Sequence, residues 1–131
     1  LVVDDEPLNL EVAQFFLTEA GLLVDVAKDG SNALEKARSH AYAAILMDIR
    51  MTNVDGITAA KQIRLMPAHA DTPIIATTAN AFVEDRAHCM EAGMNDFLAK
   101  PFLSELLFAT LLKWLDQRET AERAVKGGAL H

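Results

Sequence analysis

The stretch LMDIRMTNVDG, residues 46–56, carries the end of an apolar run, YAAILM (42–47), directly into an aspartate, Asp48, and then into a polar loop. An unbroken apolar run of this length reads as a strand of the kind that a parallel sheet buries on both faces. A carboxylate at the mouth of such a strand needs solvation, a metal ion or a partner cation. The rest of the chain supplies candidates.

On both sides of this stretch strands alternate with helices. LVV (1–3) is a short β-branched run. Pro7 follows where the first turn of a helix tolerates it, then Leu8, Val12, Phe15 and Phe16 at helical spacing, and Gly21 ends that helix. LLVDVA (22–27) reads as a strand, KDG (28–30) as a turn, and SNALEKARSH (31–40) as a helix with Ala33, Leu34 and Ala37 inward. ITAAKQIRLM (57–66) predicts a helix with Ile57, Ala60 and Ile63 on one face, and Pro67 and Pro73 bracket the link to a strand, PIIATT (73–78). AFVEDRAHCMEAGM (81–94) predicts a helix closed by Gly93, DFLA (96–99) a strand, and LSELLFATLLKWL (103–115) the last helix. Five βα units imply an α/β, (βα)5 doubly wound parallel sheet with right-handed crossovers and helices on both faces.

Ligands of such open sheets bind at the carboxyl ends of the strands. Asp4 and Asp5 follow the first strand, Asp48 the third, Thr77 and Thr78 end the fourth, and Lys100 follows the fifth. Every polar candidate falls on one edge. Three converging carboxylates repel one another and raise each other's pKa unless a cation sits among them. A few carboxylate oxygens, a backbone carbonyl and water suit Mg2+. A carboxylate is also a covalent nucleophile in aspartyl-phosphate chemistry, and an incoming phosphoryl group would find Mg2+, Lys100 and Thr78 around it.

The composition narrows the classes. A chain of 131 residues, 51% hydrophobic and 24% charged, is expected to form one domain around one core. Its net charge of −7 argues against a broad phosphate-backbone surface, so no nucleic-acid contact is expected. Cys89 is the single cysteine, which rules out an intrachain disulfide and points to a cytoplasmic setting, whether or not the parent chain is membrane-anchored elsewhere. No apolar run approaches the ~18 residues of a membrane span, and no membrane contact is expected of this domain. The chain opens mid-pattern on LVVDD, as though a residue or two of the first strand preceded it.

Four motifs in register, VVDDE (2–6), LMDIRMTNVDG (46–56), PIIATTANA (73–81) and KPF (100–102), resemble the receiver domain of two-component response regulators over residues 1–115. The resemblance implies the flavodoxin-like, CheY-like fold with strand order 2-1-3-4-5. It implies that Asp48 accepts a phosphoryl group from a histidine kinase or histidine phosphotransfer domain, and that Asp4, Asp5, Asp48 and the backbone carbonyl of Arg50 hold Mg2+. Thr78 would be the switch hydroxyl, Lys100 the phosphoryl-pairing ammonium, Pro101 the proline that orients the lysine's loop, and Phe97 the aromatic switch. Arg50 and Asn80 stand where receivers tune access of the hydrolytic water. The run TANAFVEDRAHCMEAGMNDFLAKPF (78–102) is most similar to receivers of hybrid sensor histidine kinases. Thr52 stands where the family commonly has proline, and Val54 where methionine is frequent; the missing proline removes a fixed φ and predicts a more mobile loop.

Other readings stand beside this one. The Asp4-Asp5 pair alone could cap a helix at its positive end. A pseudo-receiver that never takes phosphate would serve as a docking or dimerisation module. A turnover phosphatase would want an acid two residues after its nucleophile, where Arg50 stands, and a nucleotide-binding domain would want a Gly-rich loop that is absent. His40, His69, His88 and His131 are scattered without ligand spacing and are expected on the surface, while Cys89 and Met90 are expected to pack. On the last helix Leu103, Leu107, Leu111 and Trp114 form a core stripe. A second set, Phe108, Leu112 and Leu115, lies about 100° further round. That set is either covered by a neighbouring helix or docks a second receiver or another domain of the parent chain. Residues 116–131, DQRETAERAVKGGALH, read as a helix extension that dissolves at Gly127 and Gly128 into a flexible tail or linker.

Overall fold

The computed structural model describes residues 1–51, 54–78, 83–100 and 104–129, without the side chains of 83–85 and 117–129. In chain order the elements are β1 (Val2–Val3), α1 (Pro7–Glu19), β2 (Val26–Ala27), α2 (Gly30–Ser39), β3 (Ile45–Asp48) and α3 (Gly56–Arg64). A 3-10 turn (Pro67–His69), β4 (Ile74–Thr78), α4 (Val83–Glu91), β5 (Asp96–Ala99) and α5 (Ser104–Ala129) complete them. All strand pairings are parallel and the order is β2-β1-β3-β4-β5, as expected.

Alternation along the strands splits the core between the two faces. Val2, Leu46, Ile75 and Leu98 pack with Ala13 and Leu17 of α1 and Leu107 and Leu111 of α5. Val3, Ile45, Met47, Ile74 and Ala76 pack with Ala33, Leu34 and Ala37 of α2, Ala59, Ala60 and Ile63 of α3, and Cys89 of α4. α2 and α3 each start on an aspartate cap: Asp29 accepts from Asn32 N–H at 2.7 Å and Asp55 from Thr58 N–H at 2.8 Å. Two helices hand over to the next strand through glycines in the left-handed region, Gly21 (φ 87°) after α1 and Gly93 (φ 93°) after α4.

Several expectations need correction. β2 is Val26–Ala27 rather than 22–27, and β3 is Ile45–Asp48 rather than 42–47. Neither stretch meets a strand partner earlier than this: Val2 pairs with Val26 and with Leu46, and Ile45 with Ile74. Leu23 is therefore fully solvent-exposed, and Tyr42 turns aside to donate to Asp25 Oδ2 at 2.8 Å. On α1 the buried ridge is Ala13 and Leu17, and Leu8 and Phe15 are exposed. That helix is apolar on more than one side, so spacing alone does not select the inward face.

Met90, expected to pack beside Cys89, is exposed, and His69, expected on the surface, is a further correction. It is wholly buried, with Nδ1 3.1 Å from Thr72 Oγ1 and Nε2 3.0 Å from the carbonyl oxygens of both Ala37 and His40. Its ring ties the 3-10 turn to the C-terminal end of α2, and Tyr42 stacks on it at 18° between planes. His40 and His88 are exposed; His131 lies outside the described residues.

Candidate functional site

The carboxyl edge of the sheet gathers the charged residues. Asp48 is the last residue of β3, Asp4 and Asp5 follow β1, Thr78 ends β4 and Lys100 follows β5. Asp4, Asp48 and Thr78 are buried, and Asp5 and Lys100 are half-buried. Carboxylate oxygens of Asp4, Asp5 and Asp48, one from each, lie within 4.8 Å of one another. Lys100 Nζ bridges the two buried acids, donating to Asp4 Oδ2 at 3.0 Å and to Asp48 Oδ2 at 3.1 Å.

Backbone groups fix the remaining oxygens. Asp48 Oδ1 accepts from Arg50 N–H at 3.2 Å, and Asp4 Oδ1 from Glu6 N–H at 2.9 Å. The N-cap position of α1 belongs to Glu6, whose side chain makes no cap bond. Asp4 thus turns the chain into the helix with one oxygen and faces the site with the other. Lys100 is held to the neighbouring strand by its N–H, which donates to Thr78 O at 2.7 Å.

The electrostatics follow from two buried acids sharing one ammonium. Burial pushes the Asp48 carboxyl above its ordinary pKa; the charge of Lys100 opposes the shift and that of Asp4 adds to it. Burial pulls Lys100 down, and its hydrogen bonds and charge contacts with Asp4 and Asp48 more than reverse this, leaving it above its ordinary value. The trio is short of positive charge. Its donor set, three hard carboxylates beside a water-accessible edge, fits a divalent ion such as Mg2+.

Two residues that the sequence reading passed over complete the site. Gly56 opens α3 against the back of Asp48: a methyl group built there would overlap the Asp48 carbonyl and stand 2.7 Å from Ile49 Cα. Asp55 caps the same helix. The Asp-Gly pair was visible in the sequence, but the close approach that demands glycine is tertiary.

Among the other expected residues, Phe97 is half-buried on β5, and the Arg50 side chain is exposed. Phe108 and Leu115 are half-buried and pack on the α1–α5 core, with the Phe108 ring 6.4 Å from that of Phe16; Leu112 is exposed. Asn80, Pro101, Leu103 and Thr52 lie outside the described residues.

A five-stranded doubly wound α/β domain with an acid cluster and a lysine at its carboxyl edge is the class that fold and site define. The family described as the response regulator receiver domain matches residues 1–112, and the chain belongs to it. It is 36% identical over 125 residues to the signal transduction histidine-protein kinase BarA of Escherichia coli (strain K12), covering 95% of this chain and 14% of that protein. It is 37% identical over 118 residues to the transcription factor SKN7 of Saccharomyces cerevisiae, covering 90% of this chain and 19% of that protein. The chain therefore spans under a fifth of either relative. Among solved structures, the receiver domain of a sensor histidine kinase from Pseudomonas aeruginosa, with a magnesium ion coordinated in its active site cleft, superposes with a TM-score of 0.83 at 42% identity. That match covers 88% of this chain and 94% of the other. The chain is a receiver domain of two-component signalling. No helix of the described residues is long and apolar enough to cross a membrane.

Proposed function

We propose that Asp48 is the phosphoacceptor of this receiver and that the domain works as a phosphorylation-controlled switch. The observation that carries the reading is the convergence of Asp4, Asp5 and Asp48 within 4.8 Å, with Lys100 bridging two of them. A docking module that never meets phosphate has no use for two buried acids and a lysine held at the cost of desolvation.

The roles follow from position. A carboxylate oxygen of Asp48 attacks phosphorus of a phosphohistidine. An O–P bond forms, the N–P bond breaks, and the imidazole leaves with the bonding pair and takes a proton. Asp4, Asp5, Asp48 and the Arg50 carbonyl would hold Mg2+, which supplies positive charge for the carboxylates and the phosphoryl oxygens. Lys100 exchanges one carboxylate partner for a phosphoryl oxygen, and the Thr78 hydroxyl donates to another. Phe97, on the strand that Lys100 follows, follows the Thr78 movement as the aromatic switch. Arg50 and Asn80 tune water access, and Pro101 orients the Lys100 loop.

The phosphodonor is a histidine kinase or histidine phosphotransfer domain in the cytoplasm, and the matches to histidine kinases support a place in a hybrid sensor kinase. Residues 1–115 form the receiver unit, and 116–131 serve as its extension or linker towards further parts of the parent chain; α5 runs to Ala129, through Gly127 and Gly128, where the sequence predicted a break. Leu112, with the half-buried Phe108 and Leu115 beside it, offers the docking face. Intact mass after incubation with Mg2+ and acetyl phosphate tests the central claim. One phosphoryl gain is expected in the wild type, none without Mg2+ and none in Asp48→Asn. No gain from acetyl phosphate or from a phosphohistidine donor would leave the docking module.

A further inference from the structure

α4 is fastened at one end and gripped near its middle. The carbonyl of Gly93, just past its C-terminus, accepts from Arg64 Nε at 3.0 Å and Nη2 at 2.8 Å. The same guanidinium donates to the carbonyls of His69 and Thr72 and to Asn95 Oδ1, which also accepts from Ile74 N–H at the start of β4. That end is therefore bound to α3, the 3-10 turn and β4 together. Arg86 lies about two helical turns before it. Its guanidinium carbon stands 5.4 Å from the centre of the Phe97 ring, a cation–π distance. Arg86 is exposed and Phe97 half-buried, so the guanidinium covers the ring where it would otherwise meet water.

The sheet connects this ring to the site. Ala76 of β4 pairs with Phe97 of β5, and Thr78 pairs with Ala99. Thr78 and Phe97 are thus diagonal neighbours on one face of the sheet, within the reach of an aromatic side chain. Thr78 is buried on that face, and in the switch reading proposed above the ring turns inward as the Thr78 side chain moves. Lys100 lies three residues beyond Phe97 on the same chain segment.

We propose that Arg86 is a positioning residue: its contact with the Phe97 ring latches that ring in the half-exposed orientation and biases the domain towards its unphosphorylated arrangement. The inference rests on the phosphoacceptor reading of Asp48 and adds to it a residue outside the chemistry. When the ring turns inward the latch opens, and α4 is held by the Arg64–Gly93 anchor and by Cys89 in the core, with its N-terminal part released. A contact made in only one of two conformations shifts their populations by its own free energy.

The test is the rate of phosphoryl mass gain from acetyl phosphate with Mg2+ in the wild type, Arg86→Gln, Arg86→Lys, Phe97→Leu and the Arg86→Gln/Phe97→Leu double variant. Hydrogen exchange over 86–91 is followed in parallel. Arg86→Gln is expected to gain the phosphoryl group about two- to fivefold faster, the factor carried by an exposed cation–π contact. It should also exchange faster over 86–91. Arg86→Lys, which keeps a cation, stays near the wild type, and in the Phe97→Leu background the Arg86 effect disappears. A rate for Arg86→Gln equal to the wild type, or the same acceleration with Phe97 removed, overturns the latch while leaving Asp48 as phosphoacceptor. A wild type that gains no phosphoryl group overturns the phosphoacceptor reading and the latch together.

Discussion

Gly56 packs its Cα against the carbonyl of Asp48, so the first residue of α3 and the last residue of β3 share a space that admits no methyl group. Gly56→Ala must push the end of β3 away. Overpacking of this kind costs about 1–3 kcal/mol, and displacing a nucleophile by about 1 Å can slow its reaction up to ~100-fold. Chemical denaturation is expected to show the destabilisation, and acetyl phosphate kinetics a loss of about tenfold or more. Wild-type behaviour in both would mean that the backbone yields without moving Asp48.

Asp48→Asn tests the charge imbalance. Because burial raises the Asp48 pKa, its ionised form destabilises the folded protein: the contribution favours folding below the ordinary carboxylate range and is lost as pH rises through the folded value. At neutral pH, in the absence of divalent ions, Asp48→Asn is expected to be more stable than the wild type by on the order of 1 kcal/mol. The gain should vanish near pH 3, where the wild-type carboxyl is itself protonated. Added Mg2+ should raise the melting temperature of the wild type more than that of the variant.

The guanidinium of Arg64 spends all its donors on Gly93 O, His69 O, Thr72 O and Asn95 Oδ1. Lysine keeps the charge and loses the fork. Arg64→Lys is expected to cost about 2–3 kcal/mol in urea denaturation, because it leaves several half-buried carbonyls without a partner. Hydrogen exchange should speed up first around Gly93 and the 3-10 turn.

Tyr42 is the single tyrosine of the chain, which makes its titration readable by absorbance. Burial, with the hydrogen bond to Asp25 and that residue's charge behind it, pushes its pKa from 10.0 up to about 12. The raised value means that this contact favours the folded state below pH 10 and is lost as pH climbs towards 12. Asp25→Asn should bring the midpoint down, while an unchanged midpoint would assign the whole shift to burial.

The five βα units were legible because period and punctuation agreed along most of the chain: Ala33, Leu34 and Ala37 all proved buried, and Gly93 follows the fourth helix as expected. What failed had tertiary causes. Strand lengths at 22–27 and 42–47 depended on which residues found a partner strand, which apolar character alone does not tell. The inward face of α1 depended on which of its apolar sides met the sheet. His69 belongs to no periodic pattern, and nothing local announces that two carbonyls at the end of α2 will close around it. At the site, the gathering of Asp4, Asp5, Asp48 and Lys100 on one edge followed from topology alone. Thr78 is preferred to Thr77 by the resemblance alone: alternation puts Thr78 on the sheet face of Phe97, while Thr77 is the residue in register with Asp48.

Lys100 reaches back across 96 residues to Asp4 and across 52 to Asp48. During synthesis both acids are in place before the lysine that answers them emerges. Contacts of such long sequence separation form late, after the loops between them have closed. Without Lys100 the edge of the sheet would hold two buried carboxylates in mutual repulsion, and the segment after the last strand brings the charge that lets them settle. Local charge balance at this edge is therefore a mark of a finished chain.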